Sequence, residues 1–338
     1  KKKMILYSLK KNSLDEVNLF PFKLEKEIQK IVEDNVKELF NLTFVSSEFR
    51  IKNERFDTVC FDEDSKSFVI IEYKKDYSSS IIDQGYSYLS TMLNNQSDLI
   101  LEFNEKLDKS LKKKDVDWTQ PRIIFISPNF NSYQKNSVNF KDLPFELWEI
   151  KRFKNNLISF SQIISTSNES IKNIKKSNNV ISKVSEKIKS YDTKDLLKKS
   201  SEDIKKIWEK ISFAINKSDF EATRMINKPL YIRFTNLNNR IIAYFNFRKD
   251  HILIHIMGGT VYGDGSKGKY FVDLDDYKNK LKKRIRVWKG YGSKEIYKKN
   301  MEVAKDPVHI EYEIKLKDES EISYLIEMLK QRYEAVNI

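Results

Sequence analysis

The most constraining feature of the sequence is an apolar stretch that ends in two charged residues, two positions apart. Residues 68–74 read FVIIEYK, and strand alternation places Glu72 and Lys74 on one face and Tyr73 on the other. A carboxylate on an otherwise apolar, largely buried strand is costly unless it is paired or bound to a metal. The chain must therefore fold so that this carboxylate has a partner.

The preceding strand brings a second carboxylate to the matching position. Residues 55–61 are strand-like, and the polar segment 62–67 that follows is typical of a hairpin loop. In this hairpin the numbers of facing residues sum to 129, so Asp57 lies opposite Glu72. Facing Cα atoms are about 4.5–5.5 Å apart, so the two carboxylates repel each other. A hard divalent cation, Mg²⁺ or Mn²⁺, would relieve that repulsion.

This arrangement resembles the core of the PD-(D/E)XK nuclease superfamily. The shared pattern is a helix, a strand, a second strand that carries Asp57, a hairpin, and then Glu72-Tyr73-Lys74. The strings around these residues look like those of archaeal single-strand and mismatch endonucleases, and the resemblance covers about residues 20–153. A phenylalanine precedes the aspartate where the motif has proline, a position at which many members also lack it.

A second motif extends the resemblance to the following helix. Gln84 and Tyr88 lie four residues apart, on one helical face, and are similar to the Q-x-x-x-Y motif of RecB-type nucleases. The acid that such folds carry on their first helix corresponds best to Glu27, with Glu33 and Glu38 as alternatives.

The resemblance implies a restriction-endonuclease-like α/β domain, a mixed sheet flanked by helices, that hydrolyses DNA phosphodiester bonds in repair or in defence against foreign DNA. Asp57, Glu72 and the Tyr73 carbonyl would bind Mg²⁺ or Mn²⁺, which polarises the phosphate and lowers the pKa of a bound water. Lys74 would orient that water and offset negative charge in the transition state. The other expected site residues are Gln84, Tyr88 and Glu27 for catalysis and Arg55 and Lys75 for nucleic-acid contacts.

A purely structural role for these charged residues is the alternative to a nuclease site. With 49 acidic and 62 basic residues among 338, chance alone gives roughly nine acid-x-base triplets. In that interpretation Glu72 and Lys74 form a structural salt bridge at a strand end, and Asp57 is a hairpin-edge residue. The conjunction of strand, register and helix motif favours the nuclease.

The charge is unevenly distributed along the chain. Residues 1–150 hold 23 basic and 25 acidic residues, and residues 151–338 hold the other 39 and 24. We expect a nuclease-like domain over 1–153, a basic and partly helical linker over 154–200, and an α+β domain over 201–338. The last domain resembles a small domain of unknown function that often follows such nuclease domains in bacterial proteins.

A basic domain points to a polyanionic partner, although a lysine-rich surface explains the charge equally well. Residues 282–291 mix cations with aromatic rings, a composition typical of nucleic-acid surfaces. The cations expected to bind nucleic acid there are Lys282, Lys283, Arg284 and Arg286. The expected partner is DNA, and the alternatives are a non-catalytic nucleic-acid-binding protein and a regulatory protein whose C-terminal domain senses a ligand.

Composition excludes several other classes. One cysteine, Cys60, rules out a disulfide framework, and with three histidines it cannot build a typical zinc site. No apolar run approaches the length of a membrane span and no signal peptide is evident, so a cytoplasmic protein is expected. No small-molecule cofactor is expected, and a homodimer is left open.

Overall fold

The computed structural model describes residues 5–74, 81–138, 143–164, 184, 186–189, 191–221, 223–287, 296–297 and 308–337. The chain forms two compact units, Lys1–Lys189 and Ser190–Ile338.

The first unit contains a small hairpin and a six-stranded sheet with its helices. Its strands are β1 (Tyr7–Lys10), β2 (Ser13–Glu16), β3 (Thr43–Ile51), β4 (Glu54–Asp62), β5 (Ser67–Tyr73), β6 (Arg122–Ser127), β7 (Phe145–Phe153) and β8 (Leu157–Ile163). Its helices are α1 (Glu25–Asp34), α2 (Val36–Phe40), α3 (Ile81–Asn94), α4 (Gln96–Leu107) and α5 (Ser132–Ser137), with a 3₁₀ turn at Lys113–Asp115.

The six-stranded sheet is mixed, in the order β3-β4-β5-β6-β7-β8. Strands β5, β6 and β7 are parallel, and the other neighbours pair antiparallel. Helices α3 and α4 form the crossover that a parallel β5–β6 pair requires. Ile28 and Val32 of α1 join the core on one face, and Phe103 of α4 packs on Phe61 on the other. The predicted fold class, a mixed sheet flanked by helices, is confirmed.

The register of the β4–β5 hairpin is the one the sequence predicted. Phe61 pairs with Phe68 and Thr58 with Ile71, so the numbers of facing residues sum to 129. The loop between the strands is residues 63–66. All seven residues of β5 are buried, so Glu72 lies inside the sheet layer rather than at a frayed strand end.

The first unit extends beyond the predicted boundary at residue 153. Strand β8 pairs antiparallel with β7, and Phe153 faces Leu157 across the turn. Asn155 and Asn156 have φ angles of 61° and 58°, the left-handed conformation that asparagine tolerates in tight hairpin turns. Part of the segment expected to be a linker is therefore the edge strand of the sheet. Residues 165–183 of that segment lie outside the described part of the chain.

The second unit is a seven-stranded antiparallel sheet in the order β14-β13-β15-β12-β11-β10-β9. Its strands are β9 (Thr223–Asn227), β10 (Ile232–Asn236), β11 (Ile241–Phe247), β12 (Ile252–Val261), β13 (Lys282–Val287), β14 (Ile296–Tyr297) and β15 (Val308–Leu316). Its helices are α6 (Thr193–Leu197), α7 (Glu202–Lys217) and α8 (Ile322–Val336), with a 3₁₀ turn at Glu319–Glu321.

Helices α7 and α8 supply one side of the apolar core of this unit. Trp208 of α7 packs edge-on against Phe245 and Phe247 of β11, and Leu325 of α8 joins the same cluster. The predicted second α+β unit is confirmed. Within the part of the chain that the structure describes, none of the helices has the length and apolar character needed to cross a membrane.

Candidate functional site

The β4–β5 ladder ends at the pair Thr58 and Ile71, and Asp57 and Glu72 are the next residues along the two strands. The main-chain N–H of Tyr73 donates to Asp57 Oδ2 at 3.1 Å, which holds this carboxylate beside the end of β5. Burial raises the pKa of Asp57 above its usual range. Burial, and then the negative charge of Asp57, raise the pKa of Glu72 to about 7. The two carboxylates therefore oppose each other's ionisation.

The two oxygens of Glu72 have different environments. Oε1 accepts hydrogen bonds from Lys74 Nζ at 2.7 Å and from Gln84 Nε2 at 2.7 Å. Oε2 is buried and has no hydrogen-bond partner among the described residues. A buried carboxylate oxygen normally has a donor or a cation, because leaving it without one is costly. One oxygen thus fixes the orientation of Glu72, and the other is available to a cation.

Helix α3 brings the predicted glutamine–tyrosine pair to Glu72. Gln84 Nε2 also donates to the Tyr88 hydroxyl at 2.8 Å, and that hydroxyl donates to the main-chain carbonyl of Arg55 at 3.1 Å. Burial, and then the charge of Glu72, raise the pKa of Tyr88, which keeps the phenol protonated as a donor. Gln84 and Tyr88 therefore link α3, β4 and the Glu72 carboxylate.

The Tyr73 side chain lies on the α1 side of the sheet, away from Glu72. Its hydroxyl is 3.0 Å from Thr58 Oγ1, and the Thr58 hydroxyl donates to Glu33 Oε1 at 2.6 Å. Only the main chain of Tyr73 is thus placed to take part in the carboxylate site. Glu33, one of the alternatives named from the sequence, bonds the residue that follows Asp57.

Glu27, the preferred helix acid, is placed elsewhere. Its Oε1 accepts from the main-chain N–H groups of Lys23 and Leu24 at 3.1 and 3.2 Å, which caps the start of α1. Its Oε2 is 2.9 Å from Arg152 Nη1. Oε1 thus caps α1 and Oε2 pairs with β7, so the geometry does not support the expectation that Glu27 belongs to the site. Glu38, the other alternative, is exposed on α2.

Sequence reasoning missed two residues next to Asp57. Gln29 is 4% exposed on α1 and donates to the main-chain carbonyl of Asp57 at 3.0 Å. The feature of the sequence that could have revealed Gln29 is a polar residue among the apolar positions of an amphipathic helix. Glu48 on β3 stands opposite Asp57 with a φ of 55°, and nothing in the sequence marks that conformation. Glu48 bonds Arg55 Nε at 3.1 Å and Lys26 Nζ at 3.0 Å.

The cations expected to contact nucleic acid have mixed environments. Arg55 is about half exposed beside Glu48, and Lys75 lies outside the described residues. On β13, Lys282 is exposed, whereas Lys283 is 2.8 Å from Asp273 and Arg284 pairs with Glu313. Two of these cations are thus bonded to carboxylates, and their contact with nucleic acid stays a prediction. Only the backbone of Arg286 is described.

The carboxylate site contains oxygen donors of the kind that a divalent cation binds. Among the described residues, no group of three or more His, Cys, Asp or Glu side chains is placed to hold a metal. The site instead offers two carboxylates, one with a buried oxygen that lacks a donor among the described residues, beside the main chain of Tyr73, whose N–H bonds Asp57 Oδ2. Mg²⁺ commonly binds through one or two carboxylates and retains several waters, so these oxygen donors fit a Mg²⁺-like ion.

Comparison with known proteins places the chain in a family. No protein-family model matches it. It is 35% identical over 329 residues to an uncharacterized protein of Haemophilus influenzae, covering 97% of this chain and 99% of that protein. The chain belongs to the same family as that protein.

Two solved structures show low similarity to the chain. A repair endonuclease from Pyrococcus abyssi is 16% identical with a TM-score of 0.27, over 37% of this chain and 47% of that chain. A chain of an EndoMS–double-stranded DNA complex is 15% identical with a TM-score of 0.23, over 43% of this chain and 64% of that chain. The chain thus spans about half of the first and less than two thirds of the second.

Proposed function

We propose that the chain is a divalent-metal-dependent nuclease that hydrolyses phosphodiester bonds of DNA. The observation that carries the proposal is that Asp57 and Glu72 lie side by side just beyond the last pair of the β4–β5 ladder, with Glu72 Oε2 buried and without a donor among the described residues. A structural salt bridge with Lys74 needs one carboxylate. It gives no reason to hold a second one against it, where each raises the cost of ionising the other.

The side chains around the pair have distinct roles in this proposal. A divalent ion would be held by Asp57, Glu72 and the Tyr73 carbonyl, and would polarise the phosphate and lower the pKa of a bound water. The Lys74 ammonium, which bonds Glu72 Oε1, would orient the attacking water and stabilise negative charge on the phosphate. Gln84 fixes the orientation of Glu72.

Arg55 would contact a phosphate next to the scissile one, since its side chain is about half exposed. Its main-chain carbonyl is held by Tyr88, which fixes the strand from which the guanidinium projects. The setting that the family resemblance implies is DNA repair or defence against foreign DNA.

The test is cleavage of single-stranded, duplex and branched DNA with Mg²⁺, Mn²⁺ or EDTA. Wild type should cleave at least one substrate with metal and none in EDTA. Asp57→Asn, Glu72→Gln and Lys74→Met should each lose cleavage by a factor of at least about 100, because each removes a group that acts in the transition state. Asp15→Asn, the same charge change on the exposed β2 strand, should cleave like wild type. Cleavage by the Asp57 and Glu72 variants at the wild-type rate would overturn the proposal.

A second candidate is a non-catalytic DNA-binding protein. It is favoured by the finding that, among the described residues, no group of three or more His, Cys, Asp or Glu side chains is placed to hold a metal, and that Lys74 already pairs with Glu72. Such a protein would bind the same DNA substrates without metal-dependent cleavage. Measuring DNA binding and cleavage on one preparation separates the two candidates.

A further inference from the structure

Gln29 is a polar side chain on the buried side of an amphipathic helix. Its neighbours Ile28 and Val32 are fully buried, and Gln29 itself is 4% exposed. A buried amide without hydrogen bonds costs on the order of 1–3 kcal/mol in proteins. The position therefore depends on the partners that the amide finds.

Three acceptors from three elements surround the amide nitrogen. The two N–H groups of Gln29 Nε2 are shared among Glu33 Oε1 at 3.0 Å, Ser47 Oγ at 3.1 Å and the main-chain carbonyl of Asp57 at 3.0 Å. A main-chain carbonyl only accepts hydrogen bonds, so the amide nitrogen, rather than the amide oxygen, must face Asp57. Glu33, on the next turn of α1, holds the amide in this orientation, and the amide in turn holds the main chain of Asp57.

The contact falls beside Glu48, the residue at which β3 leaves the extended conformation. Ser47 pairs with Thr58 and Phe49 with Phe56, so Glu48 stands opposite Asp57. Glu48 has a φ of 55°, in the left-handed region, which a regular antiparallel strand does not use. A side-chain bond from α1 thus reinforces β4 at the position where the neighbouring strand departs from regular geometry.

We propose that Gln29 is a positioning residue that fixes the main chain at Asp57 and thereby sets the affinity of the Asp57–Glu72 pair for a divalent cation. The inference rests on the proposed metal site. Asp57 is held from two sides: the Tyr73 N–H bonds its carboxylate at 3.1 Å, and Gln29 bonds its carbonyl at 3.0 Å. Without Gln29, the backbone that carries the carboxylate loses one of these two anchors.

The test is the dissociation constant of Mn²⁺, measured by isothermal titration calorimetry on the full chain. Gln29→Met fills the same space without donors and should weaken Mn²⁺ binding by about 10–100-fold, the usual loss when a group that orients a metal ligand is removed. Ser47→Ala is the matched control. It removes a partner of Gln29 on β3 but leaves the bond to Asp57, so its dissociation constant should stay within about twofold of wild type.

The unfolding free energy in EDTA separates positioning from a merely structural role. If Gln29→Met lowers stability but leaves the Mn²⁺ dissociation constant unchanged, the proposal is overturned. Gln29→Asn, which keeps the amide but is too short to reach the carbonyl, replaces Gln29→Met if that variant fails to fold, with the same weakening expected.

Cleavage measured on the same proteins keeps this inference distinct from the proposed function. If the wild-type protein binds Mn²⁺ but does not cleave DNA, the proposed nuclease function is wrong, and the comparison of dissociation constants still tests the role of Gln29. If the wild-type protein cleaves DNA and Gln29→Met binds Mn²⁺ with unchanged affinity, the positioning role is wrong and the nuclease function stands. Wild type that binds no Mn²⁺ would overturn the positioning role.

Discussion

Glu72 ties the stability of the metal-free protein to pH. Its pKa is about 7 in the folded protein, against an ordinary value of 4.5, so between these values the folded chain binds a proton that the unfolded chain has released. Stability must then fall as pH rises, because the folded state binds more protons than the unfolded one. The loss amounts to a few kcal/mol, at about 1.4 kcal/mol for each unit of pKa.

We therefore predict that in EDTA the free energy of unfolding of wild type declines from about pH 5 to pH 8. Glu72→Gln should show a flatter profile, because it no longer titrates, and Asp15→Asn should follow wild type. Mn²⁺ should oppose the decline at high pH, since ligand binding to the native state adds stability. Chemical denaturation at four pH values checks this, and identical slopes in wild type and Glu72→Gln would contradict it.

At the scale of elements, the position of α3 depends on a glycine. A Cβ at Gly85 would lie 2.6 Å from Cζ of Phe145 on β7, well inside the contact distance. The Phe145 ring cannot easily move, because it packs against Tyr86 at 5.2 Å and Phe125 at 6.0 Å between ring centroids. Gln84, the neighbour of Gly85, must stay within hydrogen-bond distance of Glu72.

Gly85→Ala should therefore destabilise the protein despite the better helix propensity of alanine. Propensity gains about 1 kcal/mol, whereas overpacking a buried contact costs roughly 1–3 kcal/mol. The helix should shift and weaken the Gln84–Glu72 contact. The double variant Gly85→Ala with Phe145→Leu should recover part of the stability, as thermal denaturation would show. A Gly85→Ala protein more stable than wild type would show that the contact between α3 and Phe145 can accommodate a methyl group.

For the individual helices and strands, part of the structure could be predicted from the sequence and part could not. The β4–β5 register followed from alternation and a polar loop, so the facing of Asp57 and Glu72 was predictable. Strand β8 was missed because its turn, with left-handed Asn155 and Asn156, lies in a stretch that reads as polar linker. Glu27 was misassigned because helical spacing alone cannot show which acid of α1 caps the helix and which one faces β4.

At the scale of the whole molecule, net charge overstated the available cations. On β13, Lys282 is exposed, but Arg284 pairs with Glu313, which is only 6% exposed. A count of charges cannot predict that Arg284 and Glu313, on neighbouring strands of an antiparallel sheet, form an ion pair. The basic surface can thus be tested one cation at a time.

If the second unit contacts DNA through β13, Lys282→Ala should reduce the slope of log affinity against log salt by about one, with stability unchanged. Arg284→Ala should instead lower the unfolding free energy, because it leaves Glu313 buried without this cation, and should leave the slope nearly unchanged. DNA binding at several salt concentrations, with thermal melting of both variants, checks this. Equal slopes in wild type and Lys282→Ala would remove Lys282 from the interface.

The place of β5 in the sheet has a consequence for the order of folding. It joins β4 through the short loop 63–66, but reaches its parallel neighbour β6 only after residues 74–121. Hairpins form in about 1–10 μs, whereas pairings distant in sequence form late. Asp57 and Glu72 therefore meet early, before the rest of the sheet encloses them, and their repulsion opposes the first steps of folding.

In EDTA at pH 8, Asp57→Asn should refold about two- to fivefold faster, with little change in the unfolding rate, as expected for relief of roughly 0.5–1 kcal/mol in the transition state. Stopped-flow refolding measures both rates, and a change confined to unfolding would place the meeting of the two acids late.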